Sequence, residues 1–370
     1  MKKLLPQLIC LLFFPLALLL NYLFSLNPHL GESFYSLKLN KIFIQGLSRL
    51  TGVFPFSLFE FILYFFILSY SLYILHMIWQ LFSKKQSWKS LLLKFISNHL
   101  ALFSILYFIF TSMWGLNYLR PPFGKTNGIE ASQHTTAELA ELYRYLIDEL
   151  NTLSEQTPRD AERYMIVEGG YESAFERASL GYLEVSKSFP SLSGDYGSPK
   201  AIWASSLMNY TGITGIYSPF TAEANVNVAV LDLFIPATTL HEMAHQRGFA
   251  NEDEADFISF LTCSFHPDID FKYSGYLLAL AHTNAALAKD DVSLLRELNL
   301  NLSSDVLNDI RHNNTFWAQY EGEVEKLSTK VNDTYLKANG VSDGQKSYGR
   351  MVDLLLSYYT LFIKPEVSFN

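Results

Sequence analysis

Apolar positions run unbroken near the start of the chain and periodically after it. Residues 4–26 are almost wholly apolar, residues 58–82 repeat the pattern, and a third run goes from 91 or 95 to 119. Each is long enough for the roughly 20 residues a helix needs to cross a bilayer core. Three transmembrane helices are therefore expected at about 4–26, 58–82 and 95–119. Lys2 and Lys3 ahead of the first run also suit a cleaved signal peptide. The run is longer than a signal core and no A-x-A-like site follows, so an uncleaved anchor is expected. Arg120-Pro121-Pro122 ends the third run, since consecutive prolines stop a helix. Beyond it the pattern turns periodic. Leu139, Leu142, Tyr143, Leu146, Ile147 and Leu150 recur at helical spacing, and residues 134–190 read as helical. A loop follows at 191–199. Residues 212–217 and 223–230 read as short strands, with 224–228 alternating as a half-buried strand should. Residues 258–265 and 276–287 read as core helices. The apolar run 351–363 is too short to span and reads as a packed or interfacial helix. The expected fold is mainly α: three membrane helices (1–120), then an α+β domain with a small sheet (121–370).

Charge divides the chain at the same point. Residues 1–120 hold ten Lys and Arg against two acids, Glu32 and Glu60; the remainder holds 18 bases (28 − 10) against 34 acids (36 − 2), a net of −16. A domain that acidic is a poor nucleic-acid binder, and no nucleic-acid partner is expected. The connection between spans two and three carries Lys84, Lys85, Lys89 and Lys94 and no acid. By the positive-inside rule it faces the cytoplasm with the N-terminus, so the domain after Arg120 faces outward. Cys10 and Cys263 are badly placed to pair, and no disulfide framework is implied. His76 and His99 read as helix-packing or interfacial residues, having no second ligand at helical spacing. His266, His282 and His312 are spare histidines: one could orient a substrate or stabilise an oxyanion, but surface or capping roles are the expected ones. Tyr348 and Arg350 precede the last apolar run, and the pattern leaves open whether they face a cleft.

The chemistry gathers at His241-Glu242-Met243-Ala244-His245, an H-E-x-x-H motif. Residues four apart share a helix face, so two imidazoles there can close on one Zn²⁺, with the intervening Glu placed as a base. Pro236 suits a helix start and Gly248 a left-handed helix end. Asn251 with Glu254 fits a capping box opening a second helix. That leaves Glu252 as the freer acid, with Asp256 one turn on along the same face. The set is two His, one carboxylate ligand and one supporting carboxylate, with Glu254 as the alternative ligand if the capping box does not form. Asn225, Asn227, Asp232 and Pro236 before the motif, and four acids after it, argue against placement inside the membrane.

H-E-x-x-H followed by E-x-E-A-D resembles the gluzincin peptidases, especially the membrane-bound CAAX-protease and HtpX-like group. That resemblance implies a zincin-like domain in which Glu252 is the third ligand and Asp256 orients a ligand His. It also implies that a strand upstream of the motif helix borders the cleft and pairs with the substrate backbone, a role that falls to the 212–230 region. The spacing departs from the group, because Glu252 follows His245 by only seven residues. Gly248 is similar to the metzincin pattern, which would put its third ligand at Asn251, a poor one for zinc. The whole chain also resembles an uncharacterised bacterial family of membrane proteins with a zincin-like C-terminal domain. The matching stretches are W-G-L-N-Y-L-R-P-P at 114–122, S-P-F-T-A-E-A-N-V-N at 218–227, H-Q-R-G-F-A-N-E-D-E-A-D-F at 245–257 and S-Y-G-R-M-V-D-L-L-L at 347–356.

These readings combine into an expectation: a membrane-anchored zinc metallopeptidase. His241, His245 and Glu252 hold the metal, Glu242 is the general base, and a peptide or protein at or near the bilayer is the substrate. Two rivals belong to other classes. One is a non-catalytic membrane receptor or envelope scaffold, against which the intact Glu242 argues. The other is a metal-dependent hydrolase of a non-peptide envelope amide.

Overall fold

In a computed structural model, residues 5–83, 86–130, 134–341 and 350–367 are described. Lys2, Lys3, Leu4, Lys84, Lys85 and Tyr348 lie outside them. Helix α1 (Leu5–Ser25) is followed by a shorter amphipathic helix, α2 (Lys41–Gly52), and then by α3 (Leu58–Phe82) and α4 (Trp88–Met113). Helices α1, α3 and α4 are long and apolar enough to cross a membrane. Large apolar side chains such as Phe65, Leu72 and Leu93 point outward from them, as a lipid-facing surface requires. Within α1 the bonding tightens at Leu12 and Phe14, just ahead of Pro15, which cannot donate to the ladder. Helix α4 corrects the third expected span. It opens at Trp88, capped by the Ser87 hydroxyl accepting from the Ser90 amide at 3.4 Å, and stops at Met113, where Gly115–Leu119 winds into a tighter 3₁₀ turn. Lys89 and Lys94 are tolerated in it because their long stems can carry the charge to a membrane surface.

The segment between α1 and α3 is helical too, and it is docked on the rest of the protein. Ser36 donates to Asn117 Oδ1 at 2.8 Å, Asn40 to the Met113 carbonyl at 2.8 Å, and Thr51 to the Thr221 carbonyl at 2.9 Å. The start of α3 is held by carboxylates in turn. Glu223 accepts from the amides of Leu58 and Phe59 at 3.1 and 2.8 Å, where a helix N-terminus favours negative charge. Glu60 accepts from the amides of Trp203 and Ala204.

Helix α5 (Thr136–Ser154) opens with a complete capping box between Thr135 and Glu138, and its apolar stripe is buried as its spacing predicts. It is followed by α6 (Gly170–Val185) and the sheet strands β1 (Lys200–Ala201), β2 (Gly215–Ser218) and β3 (Glu223–Val226). The sheet order is β1-β3-β2, with β3 parallel to β1 (Lys200 opposite Asn225) and antiparallel to β2 (Tyr217 opposite Ala224). β1 has no counterpart in the expected elements. β3 is buried on both faces, not half-buried as its alternation suggests. The amide donors of the asparagines find partners inside: Asn225 donates to the Ile216 and Glu223 carbonyls, although its Oδ1 has no partner among the described residues, and Asn227 donates to Asn209 Oδ1 and the Ile213 carbonyl.

Helices α7 (Ile235–Gln246) and α8 (Glu252–Phe265) pack on each other, and α7 also lies against β3. α9 (Ile269–Asp290) joins α8 to α5 through the main core. The chain ends in α10 (Val292–Asn299), α11 (Ser304–Ala318), α12 (Glu323–Ala338) and α13 (Arg350–Tyr358). α13 is a packed helix, burying Met351, Val352 and Leu355. Cys10 and Cys263 are both free.

Candidate metal centre

Helix α7 carries the H-E-x-x-H motif because both its ends are specified locally. Pro236 sits in its first turn, and Gly248, with φ of 82°, takes the left-handed turn that releases the chain toward α8. His241 and His245 then project from one face toward the first turn of α8. One nitrogen of each imidazole and one carboxylate oxygen of Glu252 all lie within 4.8 Å of one another. His241 Nε2 and His245 Nε2 approach Glu252 Oε2 at 3.2 and 3.5 Å.

The opposite ring nitrogens are already committed. His245 Nδ1 lies 2.6 Å from the Phe249 carbonyl, which can only accept, so that nitrogen donates. His241 Nδ1 lies 2.8 Å from Asp256 Oδ1 and donates likewise. Both rings therefore present a lone pair at Nε2 when neutral, aimed at one point beside Glu252. This is the tautomer a metal needs, enforced by neighbours that orient the ring.

Electrostatics at the site follow from burial opposed by pairing. Burial disfavours a charged His241, but Asp256 and Glu252 outweigh it and raise its pKa well above the usual imidazole value. Burial would raise Glu252, yet His245 and His241 hold it well below the usual carboxylate range. Glu242 behaves differently. Burial pushes it up to about 7 against the pull of the two imidazoles. Its Oε2 is buried and has no hydrogen-bond partner among the described residues. Its side chain occupies the space a Cβ on Gly215 would need, so glycine there lets β2 pass close without displacing Glu242.

Asp256 is in place to support His241, and its second oxygen reaches a residue the spacing does not single out. His282 Nε2, from α9, lies 3.3 Å from Asp256 Oδ2. No periodicity marks that contact, because it joins two helices. Trp114 packs edge-on against the His245 ring at 5.6 Å. The phenols of Tyr118 and Tyr335 meet at 3.2 Å, and both line the cleft beside Glu252. Trp114 and Tyr118 belong to the W-G-L-N-Y-L-R-P-P stretch, which was the available signal. The cleft holds about 770 Å³ and is bordered by β2 through Gly215, Ile216 and Tyr217.

Glu254 is not part of this group. The expected capping box is absent: Asn251 opens α8 without a side-chain cap, and Glu254 turns away to accept from the Phe123 amide at 2.6 Å. Nor does Arg350 reach the cluster with its guanidinium Nε, which lies 2.9 Å from Asp253 Oδ2. His266 is a buried structural residue, bonded to the Arg177 carbonyl and stacked on Phe271, and His312 stacks on Tyr164. His99 bonds the Phe95 carbonyl and Tyr70, and His76 faces Gln80.

A family model described as a protein of unknown function, DUF3810, matches residues 35–356. The chain belongs to that family. The match takes in the docked segment from residue 35 onward, the last two candidate spans and every residue of the metal cluster. No curated protein and no solved structure matches the chain. Membership of DUF3810 agrees with the whole-chain resemblance to an uncharacterised membrane family. The likeness to gluzincins rests on the site residues themselves.

Proposed function

We propose that this protein is a membrane-anchored zinc peptidase with a zincin-like domain facing outward from the cytoplasmic membrane. The observation that carries the reading is the pair of fixed tautomers: two imidazoles with Nδ1 committed, and Nε2 of each converging on an ionised Glu252 beside a Glu242 oxygen that no donor among the described residues satisfies. The donor set of two neutral imidazoles and a carboxylate suits Zn²⁺, with a position left for water.

Zn²⁺ held by His241, His245 and Glu252 would supply a Lewis acid that polarises a carbonyl and acidifies a water. The chain does the rest. Glu242, buried beside that position, would take a proton from the attacking water and deliver it to the leaving amine. Asp256, backed by His282, keeps the His241 ring in its ligating tautomer. Strand β2 is the sheet edge on the cleft, where an extended peptide can add as a further strand. The outward orientation follows from the lysines between the second and third spans.

The test is Glu242→Gln in the full-length protein, assayed on a peptide library in parallel with cell-wall amides. Zinc content should be unchanged and peptide hydrolysis should fall by about 10²–10⁴-fold, the usual contribution of a general base. A variant as active as wild type refutes the assignment of Glu242. Turnover of cell-wall amides alone would move the substrate to a non-peptide bond. A zinc-bound protein inert toward both would be the scaffold.

A further inference from the structure

Glu60 is one of only two acids in the first 120 residues, and it stands in the first turn of a spanning helix. Its side chain is buried there and is satisfied from outside the helix as well as along it. Its oxygens accept from the Trp203 and Ala204 amides at 2.7 and 2.8 Å, and from the Tyr64 hydroxyl one turn further along α3. These bonds fix a level: they hold the 203–204 backbone beside the point where α3 turns apolar, next to the outward-facing Phe61. Lys200, on β1, donates to the Gly52 and Phe54 carbonyls and ties the turn before α3 to the same segment. Large apolar side chains gather on the surface at this level. Trp203 is 84% exposed, and Leu207, on the single helical turn that follows (Ser205–Met208), is 71% exposed. Phe54 and Phe56 are exposed too, and the Phe56 ring lies 5.7 Å from Phe54 and 4.7 Å from Phe61.

We infer that Trp203 and Leu207, with Phe54 and Phe56, form a fourth membrane contact: a non-spanning apolar patch that inserts into the leaflet around the first turn of α3. Its partner is the boundary between lipid headgroups and acyl chains. The patch is independent of the peptidase reading. Depth places it at that boundary. Helix α3 has 25 residues, about 37 Å, and exceeds the ~30 Å hydrocarbon core, so its first turn lies near the headgroups. Continuity argues for lipid over a protein partner, because the rings run unbroken from Phe61, on a lipid-facing helix, to Phe56 and Phe54. Chemistry argues the same way, since tryptophan couples a large apolar body to one N–H and favours this boundary. Leu300 makes the contrast. It is 83% exposed on a turn held to α5 by Asn151, which donates to the Asn301 carbonyl at 2.8 Å, and a single apolar residue there needs no partner. From Leu207 the chain runs on into residues 211–215, which line the metal cleft. The inserted patch therefore seats that rim of the cleft against the bilayer surface.

The experiment places nitroxide spin labels, one at a time, on the full-length protein in phosphatidylcholine nanodiscs. The background is Cys10→Ser, with the buried Cys263 kept. Labels go on Trp203→Cys and Leu207→Cys. Leu72→Cys, ~21 Å along α3 from Leu58, is the lipid reference, and Leu300→Cys is the aqueous one. All four side chains are exposed, so the substitutions leave the core alone. Collisions with oxygen, which concentrates in the bilayer, and with a water-soluble nickel chelate give the depth of each label. The labels at 203 and 207 should read about 5–10 Å inside the headgroup boundary, deeper than Leu300→Cys and shallower than Leu72→Cys. A reading at or above that boundary, with nickel collisions matching Leu300→Cys, puts the patch in water and overturns the inference. Weak collisions with both reagents also overturn it, because protein, such as a second copy of the chain, then covers the patch in place of lipid.

Discussion

The first turn of α8 has two faces, and each buries a carboxylate against a different kind of surrounding. On one face Glu252 meets two imidazoles whose other nitrogens are held by Asp256 and Phe249. On the other, Glu254 meets the Phe123 amide, near an Arg120 that donates to the Gly248 carbonyl at 2.8 Å and to Glu32 at 3.3 Å. Both clusters are charged and buried. They differ in what they leave over. The second sets backbone amides and the Arg120 guanidinium against its carboxylates, and the atom it leaves without a partner among the described residues is a donor, Arg120 Nε. The first gathers acceptors and lone pairs faster than it supplies donors, ending in the unpartnered Glu242 oxygen. Burial alone does not mark a functional site; an excess of one kind of hydrogen-bonding partner does.

Breaking the structural face should have the largest effect on stability. Arg120→Ala leaves Glu32 buried without its cation and frees the Gly248 carbonyl. A loss of about 3–5 kcal/mol is expected, as for one partner removed from a buried pair. Denaturant unfolding in detergent measures it, and a loss below ~1 kcal/mol would show that the Arg120 cluster does not hold the loop.

On the metal face, Asp256→Asn should leave the fold intact. It should weaken zinc binding by about 10–100-fold, because the amide can offer His241 a donor where it needs an acceptor. Competition with a chelator reads this directly; an unchanged affinity would mean that Asp256 does not orient the ring.

The smallest effect concerns Glu254. Burial first, and the charge of Asp253 next, push its carboxyl up to about 7. An acid whose folded pKa is raised above its unfolded value costs stability as pH rises between the two, here from about 4.5 toward 7. Glu254→Gln removes that ionisation. Its melting temperature should decline less than that of wild type between pH 5 and 8, corresponding to about 1–2 kcal/mol at pH 8 after allowance for relaxation of the site. Parallel pH profiles for the two proteins would contradict the assignment.

The sequence shows one face of α8 much better than the other. The spacing of His241, Glu242 and His245 is a helix-surface property, legible without tertiary knowledge, and Glu252 with Asp256 follows from the same periodicity. The capping-box pattern misplaces Glu254 because it is local, whereas the actual partner, the Phe123 amide, is 131 residues away. His282, Arg120 and Glu32 are invisible for the same reason. In the membrane region hydropathy locates all three helices but not the ends of α4, which depend on a Ser87 cap and a 3₁₀ turn. β3 misleads through its asparagines, whose polarity suggests solvent until their partners are seen.

The most direct test of the account is zinc per chain in the full-length protein, for wild type, Glu252→Gln and Glu254→Gln, two residues apart on one turn. The account predicts near-stoichiometric zinc in wild type and in Glu254→Gln, and its loss in Glu252→Gln. Zinc lost only with Glu254→Gln would put the ligand on the wrong face of the helix, and a folded wild type that takes up no zinc when supplied with it would contradict the metal centre altogether.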